Sequence, residues 1–201
     1  MSEIKTMARR DRLAEMRHNY TIKLISEFIP PNSRVLDIGG HKNCAYWRTF
    51  GKQYDVISLN IDKTISPDYA LDIEKNDLTQ IRDEFCYATM FDVIEHLENP
   101  MAALRNVRSV LKKDGLFLGS TPNRFDPYML VGAKINDDHN YVFDKLTLRH
   151  LLLKCGFKVV ATRSRVFPIQ LSRKIFIPID LSKLLPTGRV FFWVATIPQN
   201  E

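Results

Sequence analysis

The sequence predicts an α/β fold in which a mostly parallel sheet carries helices on both faces. Short apolar runs alternate with segments of helical periodicity, a pattern typical of parallel sheets. The first of these runs ends in a glycine turn, as in folds that bind nucleotide-like cofactors at their strand ends. We count seven predicted strands, at residues 34–38, 54–61, 69–72, 84–93, 116–120, 158–162 and 190–196.

Three helices are predicted from apolar side chains that recur at three- and four-residue steps. The first covers residues 6–29, within an N-terminal helical segment 1–29. The second runs over residues 100–112, capped by Asn99 and closed by a turn at 113–115. The third covers residues 145–154.

Length and composition indicate one soluble domain. The chain has 201 residues, of which 45% are hydrophobic and 26% charged. Its three cysteines lack metal-like spacing and are expected to be reduced thiols. Residues 1–17 lack the apolar stretch of a secretory signal, and no run approaches the ~18 apolar residues of a membrane-spanning helix. These features predict a cytoplasmic protein.

The net charge of +6 is concentrated at the two flanks of the chain. Residues 1–23 carry six Lys/Arg against three acids, and residues 163–190 carry six against one. A nucleic-acid surface is more often a clustered basic stripe with interleaved aromatic residues. We therefore favour a solvated basic face for the first segment and leave the second open.

Four motifs follow one another along the chain: VLDIGG at 35–40, an acid after the second strand, FDVIEHLENP at 91–100, and VLKKDG at 110–115. Over about residues 18–162 this order resembles the class I S-adenosylmethionine-dependent methyltransferases. It is most similar to their small single-domain branch, which includes ubiquinone-biosynthesis and sugar- or natural-product-modifying members. The resemblance implies one methyltransferase domain over 1–201, a Rossmann-like seven-stranded sheet whose last strand is antiparallel, and S-adenosyl-L-methionine as cofactor.

The resemblance also assigns the methionine half of the cofactor site. The Asp37 carboxylate would help to hold the cofactor's ammonium group, and Gly39 with Gly40 would let the backbone pass close to it. Phe91 and Asp92, at the end of the fourth strand, would lie beside the transferred methyl group.

The adenosine half is assigned to the ends of the second and third strands. The ribose-binding position falls on Asn60, but Asp62 is the nearby acid, and a carboxylate binds hydroxyl groups more strongly than an amide. We favour Asp62 slightly and leave both open. Asp72 matches the position that meets the adenine amino group.

Two histidines are candidate catalytic residues. The resemblance places His96 at a position facing the active site, although Glu95-His96 could instead be the exposed start of a helical turn. His139 lies in the loop after the fifth strand, near the expected acceptor. A general base is needed only if the nucleophile keeps its proton at neutral pH. Because no histidines or cysteines recur in helical register, we expect no metal site.

Three alternative functions are considered. A nicotinamide-dependent oxidoreductase should have a G-x-G-x-x-G turn after the first strand, and this chain lacks one. The resembling methyltransferases usually carry two further glycines, at the places of His41 and Asn43. A non-catalytic binding protein of methyltransferase fold remains an alternative. So does an RNA methyltransferase, prompted by the basic flanks, but residues 91–94 lack the Asn/Asp-Pro-Pro-aromatic tetrad of amino-methylating nucleic-acid enzymes. The pattern favours a small-molecule, lipid or glycan acceptor.

Two long connections, residues 121–144 and 163–189, are expected to form acceptor-side loops or a lid. Residues 166–185 within the second are both apolar and basic. They could cover an apolar or anionic acceptor, or contact a membrane surface peripherally. Simple packing of this insertion on the sheet is the alternative.

Overall fold

The computed structural model describes residues 17–42, 45–75, 78, 81, 83–126, 137–165, 169–170, 176–177 and 188–199. Residues 6–16 of the first predicted helix lie outside this part of the chain. Most of the 166–185 segment does too, so lid formation and membrane contact there stay predictions.

A seven-stranded sheet forms the centre of the domain, with the strands β1 Arg34–Ile38, β2 Asp55–Asn60, β3 Tyr69–Ala70, β4 Phe85–Phe91, β5 Leu111–Pro122, β6 Lys158–Arg165 and β9 Val190–Thr196. Their order across the sheet is β3-β2-β1-β4-β5-β9-β6. Strands β1 to β5 pair in parallel, whereas β9 is antiparallel to both β5 and β6. This arrangement confirms the predicted mostly parallel sheet with an antiparallel last strand.

Helices cover both faces of the sheet, as predicted. They are α1 at residues 17–28, α2 Ala45–Gln53, α3 Pro100–Val110 and α4 Lys145–Lys154. On one face α1 and α2 pack through residues such as Ile25 and Phe50. On the other, α3 and α4 pack through residues such as Leu104 and Leu148. Each face is thereby sealed from water, which stabilises the sheet by hydrophobic burial.

The boundary between α3 and β5 differs from the prediction. The helix begins under an Asn99 cap, as expected, but ends at Val110. Residues 112–115 are not a separate turn: they bulge within β5, because Leu111 pairs with Phe85 and Leu116 already pairs with Tyr87. The bulge is made possible by Asp114, whose φ of 61° lies in the left-handed region that aspartate tolerates.

Two further features were not predicted. Helix α2 was missed because Gly51 and the aromatic and β-branched residues of this short segment have low helix propensity. Strands β7 Ile169–Gln170 and β8 Phe176–Ile177 form a separate antiparallel pair within the second long connection. Of the helices in the described residues, none combines the length and the apolar character needed to cross a membrane.

Candidate active site

A cleft opens where the carboxyl ends of β1 and β4 adjoin, the edge at which open α/β sheets bind ligands. It brings together five of the residues predicted to hold the cofactor, with further side chains from α1, the glycine turn and β5. The lining consists of Arg17, His18, Thr21, Asp37, Ile38, Gly39, Gly40, His41, Phe91, Asp92 and Ser120.

Asp37 is held rigidly at the base of this cleft, where its side chain is 2% exposed. The Thr89 hydroxyl donates to its Oδ1 at 2.6 Å, and the Trp47 indole N–H donates to its Oδ2 at 3.0 Å. Burial raises the pKa of Asp37 to about 6, although the hydrogen bonds from Thr89 and Trp47 oppose that rise. The hydrogen bonds therefore hold the carboxylate in one position, while burial destabilises its negative charge. A cationic ligand would stabilise that charge.

The packing of the protein itself also requires glycine at both positions of the turn that follows β1. Gly39 has a φ of +79°, and a Cβ there would lie 2.4 Å from Val93 Cγ2. A Cβ on Gly40 would lie 2.0 Å from Asp37 Oδ2 and 2.8 Å from Trp47 Nε1. Both glycines thus permit the close packing around Asp37 in addition to the close backbone approach predicted for the cofactor.

Asn60 and Asp62 have different surroundings at the end of β2. The Asn60 amide donates to the Gly40 carbonyl at 3.2 Å, and its oxygen accepts from the Asp62 N–H at 3.0 Å. Asp62 caps a short 3₁₀ turn by accepting from the N–H and hydroxyl of Thr64. These bonds hold the pKa of Asp62 below its usual value. Asn60 therefore fastens the glycine turn, while Asp62 stays ionised at the surface.

Asp72 lies just beyond β3 and closes a local turn. Its Oδ1 accepts from the Glu74 N–H at 2.9 Å, and its Oδ2 pairs with Lys75 Nζ at 3.4 Å. Glu74 in turn accepts a hydrogen bond from the Asn99 N–H, which ties this turn to the start of α3. Asp72, like Asn60 and Asp62, is not among the residues that line the cleft.

Asp92 adopts a strained backbone conformation at the end of β4, with a φ of 53°. Its Oδ1 accepts from the Ser120 hydroxyl at 2.9 Å, and its Oδ2 forms an ion pair with the Arg17 guanidinium at 3.1 Å. Helix α1 therefore contributes a cation directly to the cleft. Phe91 precedes Asp92 and lines the same cleft.

His96 and His139 meet beside the end of β4. Their ring centroids lie 4.7 Å apart, with the ring planes at 85°. The loop carrying His139 is fastened to the turn carrying His96: the Asn140 side chain donates to the His96 carbonyl at 2.8 Å, and the N–H groups of Asn140 and Tyr141 donate to the Glu95 carbonyl. The two candidate catalytic residues, 43 positions apart in the chain, thus share one rigid corner.

Glu95 is buried, with 1% of its surface exposed, so the interpretation of Glu95-His96 as an exposed helical start is wrong for Glu95. His96 itself is exposed, in the 3₁₀ turn Ile94–His96. Burial, followed by the nearby Asp92 charge, raises the pKa of Glu95 to about 7.

Comparison with known proteins decides the family. A family model described as a methyltransferase domain matches residues 8–162. The chain belongs to this methyltransferase family. Its cofactor is S-adenosylmethionine, as the motifs predicted. No curated protein matches the sequence of this methyltransferase.

Solved structures share the fold of the methyltransferase at low sequence identity. A methyltransferase from Thermotoga maritima, described as a possible histamine N-methyltransferase, is 17% identical with a TM-score of 0.66, over 96% of this chain and 95% of the other. The N-methyltransferase NodS from Bradyrhizobium japonicum, in complex with S-adenosylhomocysteine, is 14% identical with a TM-score of 0.61, over 92% and 87%. An S-adenosylmethionine-dependent methyltransferase from Clostridium acetobutylicum is 8% identical with a TM-score of 0.62, over 90% of each chain.

The cleft of the methyltransferase fits a ligand that carries positive charge. The carboxylates of Asp37 and Asp92 both line it, with Arg17 paired to Asp92, and a sulfonium with an ammonium group would complement the two acids. Sequence reasoning missed the partners that position these two acids, namely Thr89, Trp47, Ser120 and Arg17. A hydroxyl residue within a strand carries no sequence signal of its own, and Arg17 lay among other basic residues of the N-terminal segment.

Proposed function

We propose that this enzyme transfers the methyl group of S-adenosylmethionine to an O, N or C nucleophile of a small-molecule, lipid or glycan acceptor. The observation that carries the proposal is the pairing of His96 with His139 next to Asp92. The negative charge of Asp92 acts on both Glu95 and His139, so the histidine corner adjoins the cleft that Asp92 lines. The acceptor would enter from this corner.

The proposed cofactor contacts follow from the positions of the side chains. Asp37 and the turn at Gly39-Gly40 would hold the methionine half of the cofactor, with Phe91 and Asp92 beside the methyl group. Asp62 is the preferred ribose ligand, because the Asn60 amide is already bonded on both sides and Asp62 is an exposed carboxylate. Asp72, at the end of β3, would meet the adenine amino group.

The chemistry requires little of the protein beyond alignment. When bound, S-adenosylmethionine supplies a methyl group already activated on its sulfonium sulfur. The enzyme's own residues would orient the acceptor nucleophile in line with that methyl and exclude water. His96 and His139 would accept a proton where the nucleophile carries one, which makes them the candidate catalytic residues.

The acceptor class is supported by sequence and by comparison. The end of β4 lacks the tetrad typical of enzymes that methylate amino groups of nucleic acids. Two of the similar structures are described as N-methyltransferases, one of them as a possible histamine enzyme. Amines therefore come first among the acceptors to test, followed by hydroxyl compounds, lipids and glycans.

Release of S-adenosylhomocysteine from labelled cofactor tests this function. Panels of amines, hydroxyl metabolites, lipids and glycans should include an acceptor that depends on the enzyme, and a parallel arm should contain tRNA and rRNA. Turnover with a small molecule, lipid or glycan supports the proposal. Turnover with RNA alone would replace it with an RNA methyltransferase, and cofactor binding without turnover on any panel would favour a binding protein.

A further inference from the structure

Three potential metal ligands converge at the end of β4. One atom from each of Glu95, His96 and His139, a carboxylate oxygen or a ring nitrogen, lies within 4.8 Å of the other two. Ligands about 2.0–2.2 Å from a shared ion are roughly 3–4 Å apart, so small side-chain rotations would close this set around a cation. The cluster is not apparent from the spacing of these residues in the sequence, because His139 comes from a different loop.

The hydrogen bonding of His96 leaves one ring nitrogen suited to a metal. Its Nδ1 lies 2.9 Å from the Asp138 carbonyl oxygen. A carbonyl can only accept, so Nδ1 carries a proton, and in the neutral ring Nε2 is the nitrogen with the lone pair. A backbone carbonyl that fixes the distal N–H is the usual outer-shell support of a metal-binding histidine.

The Glu95 carboxylate is buried without a hydrogen-bond partner among the described residues. This holds for both of its oxygens. The buried Thr121 hydroxyl likewise has no hydrogen-bond partner there. Buried carboxylates are costly unless they are paired or coordinate an ion. A cation between Glu95 and the two imidazoles would satisfy this carboxylate.

The charges around the cluster also favour a cation. The negative charge of Asp92 acts on both Glu95 and His139. The Arg17 guanidinium opposes this effect at Glu95, but it is paired with Asp92 at 3.1 Å. Two imidazole nitrogens and one carboxylate oxygen are ligands preferred by divalent first-row transition metals over calcium or magnesium.

We propose that Glu95, His96 and His139 bind a divalent transition-metal ion, with open coordination positions turned toward the acceptor. The sequence argument against a metal considered only spacing along the chain, and the fold supplies the cluster instead. In this deeper form of the proposed function, the ion would bind a hydroxyl oxygen of the acceptor and lower its pKa, the released proton would pass to solvent water, and the two histidines would act as ligands and not as bases. Only this last consequence rests on the proposed methyl transfer.

Cobalt(II) titration of the full chain, freed of metal by chelation, tests the site without cofactor or acceptor. We expect about one equivalent to bind with a visible spectrum of nitrogen and oxygen ligands, and zinc(II) to displace it. Glu95→Gln and His139→Ala should each weaken binding by ~10-fold or more. Cobalt should also raise the unfolding temperature of the native protein but not that of either variant.

Two control variants test whether cobalt binds elsewhere on the protein. His150→Ala removes an exposed histidine of α4 and should leave binding unchanged, and Cys86→Ser removes an exposed thiol that could capture cobalt. Absence of binding by the native protein would overturn the proposal, as would binding that survives the Glu95→Gln/His139→Ala double variant or disappears in Cys86→Ser. Calorimetric titration of the same samples with S-adenosylhomocysteine separates this failure from a failure of the proposed methyl transfer.

Discussion

The Trp47 indole N–H donates a 3.0 Å hydrogen bond to Asp37 Oδ2, and the backbone of Gly40 passes so close that a Cβ there would lie 2.0 Å from the same oxygen. Strand β1, the glycine turn and helix α2 are thus joined around one buried carboxylate. A side chain on Gly40 would have to break this bond.

Gly40→Ala should therefore weaken cofactor binding by ~10-fold or more and destabilise the protein by about 1–3 kcal/mol through overpacking. Gly51→Ala is the matched control, because its Cβ would touch the Trp47 ring at 3.2 Å without meeting Asp37. Calorimetry with S-adenosylhomocysteine and denaturant unfolding measure the two effects. Equal affinities for the two variants would show that the Asp37–Trp47 bond does not shape the cofactor site.

Asp37 should make the ligand-free protein less stable as the pH rises from about 4 to about 6. Its pKa is about 6 in the folded protein, against 3.8 as its ordinary value, so the unfolded chain releases the proton first. The contribution of Asp37 to stability is fully present below pH 4, falls through this window and then levels off, with a total loss of about 3 kcal/mol.

Asp37→Asn should remove that part of the pH dependence, because its amide can donate to Thr89 while its oxygen accepts from Trp47. Urea unfolding of both proteins at pH 4 and pH 7 measures the difference. The variant should be the more stable protein at pH 7 yet bind the cofactor more weakly. Parallel pH profiles for the two proteins would contradict the raised pKa.

Asp92 should favour binding of S-adenosylmethionine over binding of its product S-adenosylhomocysteine, which lacks the sulfonium charge. Asp92→Asn keeps the positive φ, which asparagine tolerates, and removes the charge beside the expected sulfonium. We expect affinity for S-adenosylmethionine to fall about 3–10-fold more than affinity for S-adenosylhomocysteine. Asp114→Asn, also at a positive φ of 61°, is the control and should change neither affinity. A uniform loss of both affinities would place the methyl group away from Asp92.

The histidine corner should serve the acceptor and not the cofactor. His96 and His139 do not line the cleft that holds Asp37 and Asp92. His139→Ala should therefore leave affinity for S-adenosylhomocysteine within about 2–3-fold and reduce turnover with the identified acceptor by ~10²-fold. Cofactor affinity and turnover that fall together would show that His139 supports the cofactor site.

The sheet could be predicted because its strands are short apolar runs between turn residues, and the seven runs became the seven strands in order. The α3–β5 boundary could not, because the bulge at 112–115 depends on pairing between Leu111 and Phe85 across the sheet. The local sequence pattern predicted a helix to residue 112 and a turn at 113–115. Pairing between β4 and β5 instead makes this segment a bulge within β5.

The candidate site was only partly visible in the sequence. Asp37, Gly39, Gly40 and Asp92 could be found because a motif marks each of them. The burial of Glu95 could not be foreseen, since it is an acidic residue next to the exposed His96 in the chain. Its proximity to His139 depends on hydrogen bonds from Asn140 and Tyr141, which only the folded chain brings within reach.

The most direct measurement is calorimetric titration of the native chain with S-adenosylmethionine and S-adenosylhomocysteine, with Asp37→Asn in parallel. The cleft at Asp37, Gly40 and Asp92 predicts one equivalent of each ligand bound by the native chain and weaker binding by the variant. Absence of binding at about 1 mM ligand, which corresponds to less than about 4 kcal/mol of binding free energy, would contradict the account. Undiminished binding by Asp37→Asn would place the cofactor elsewhere.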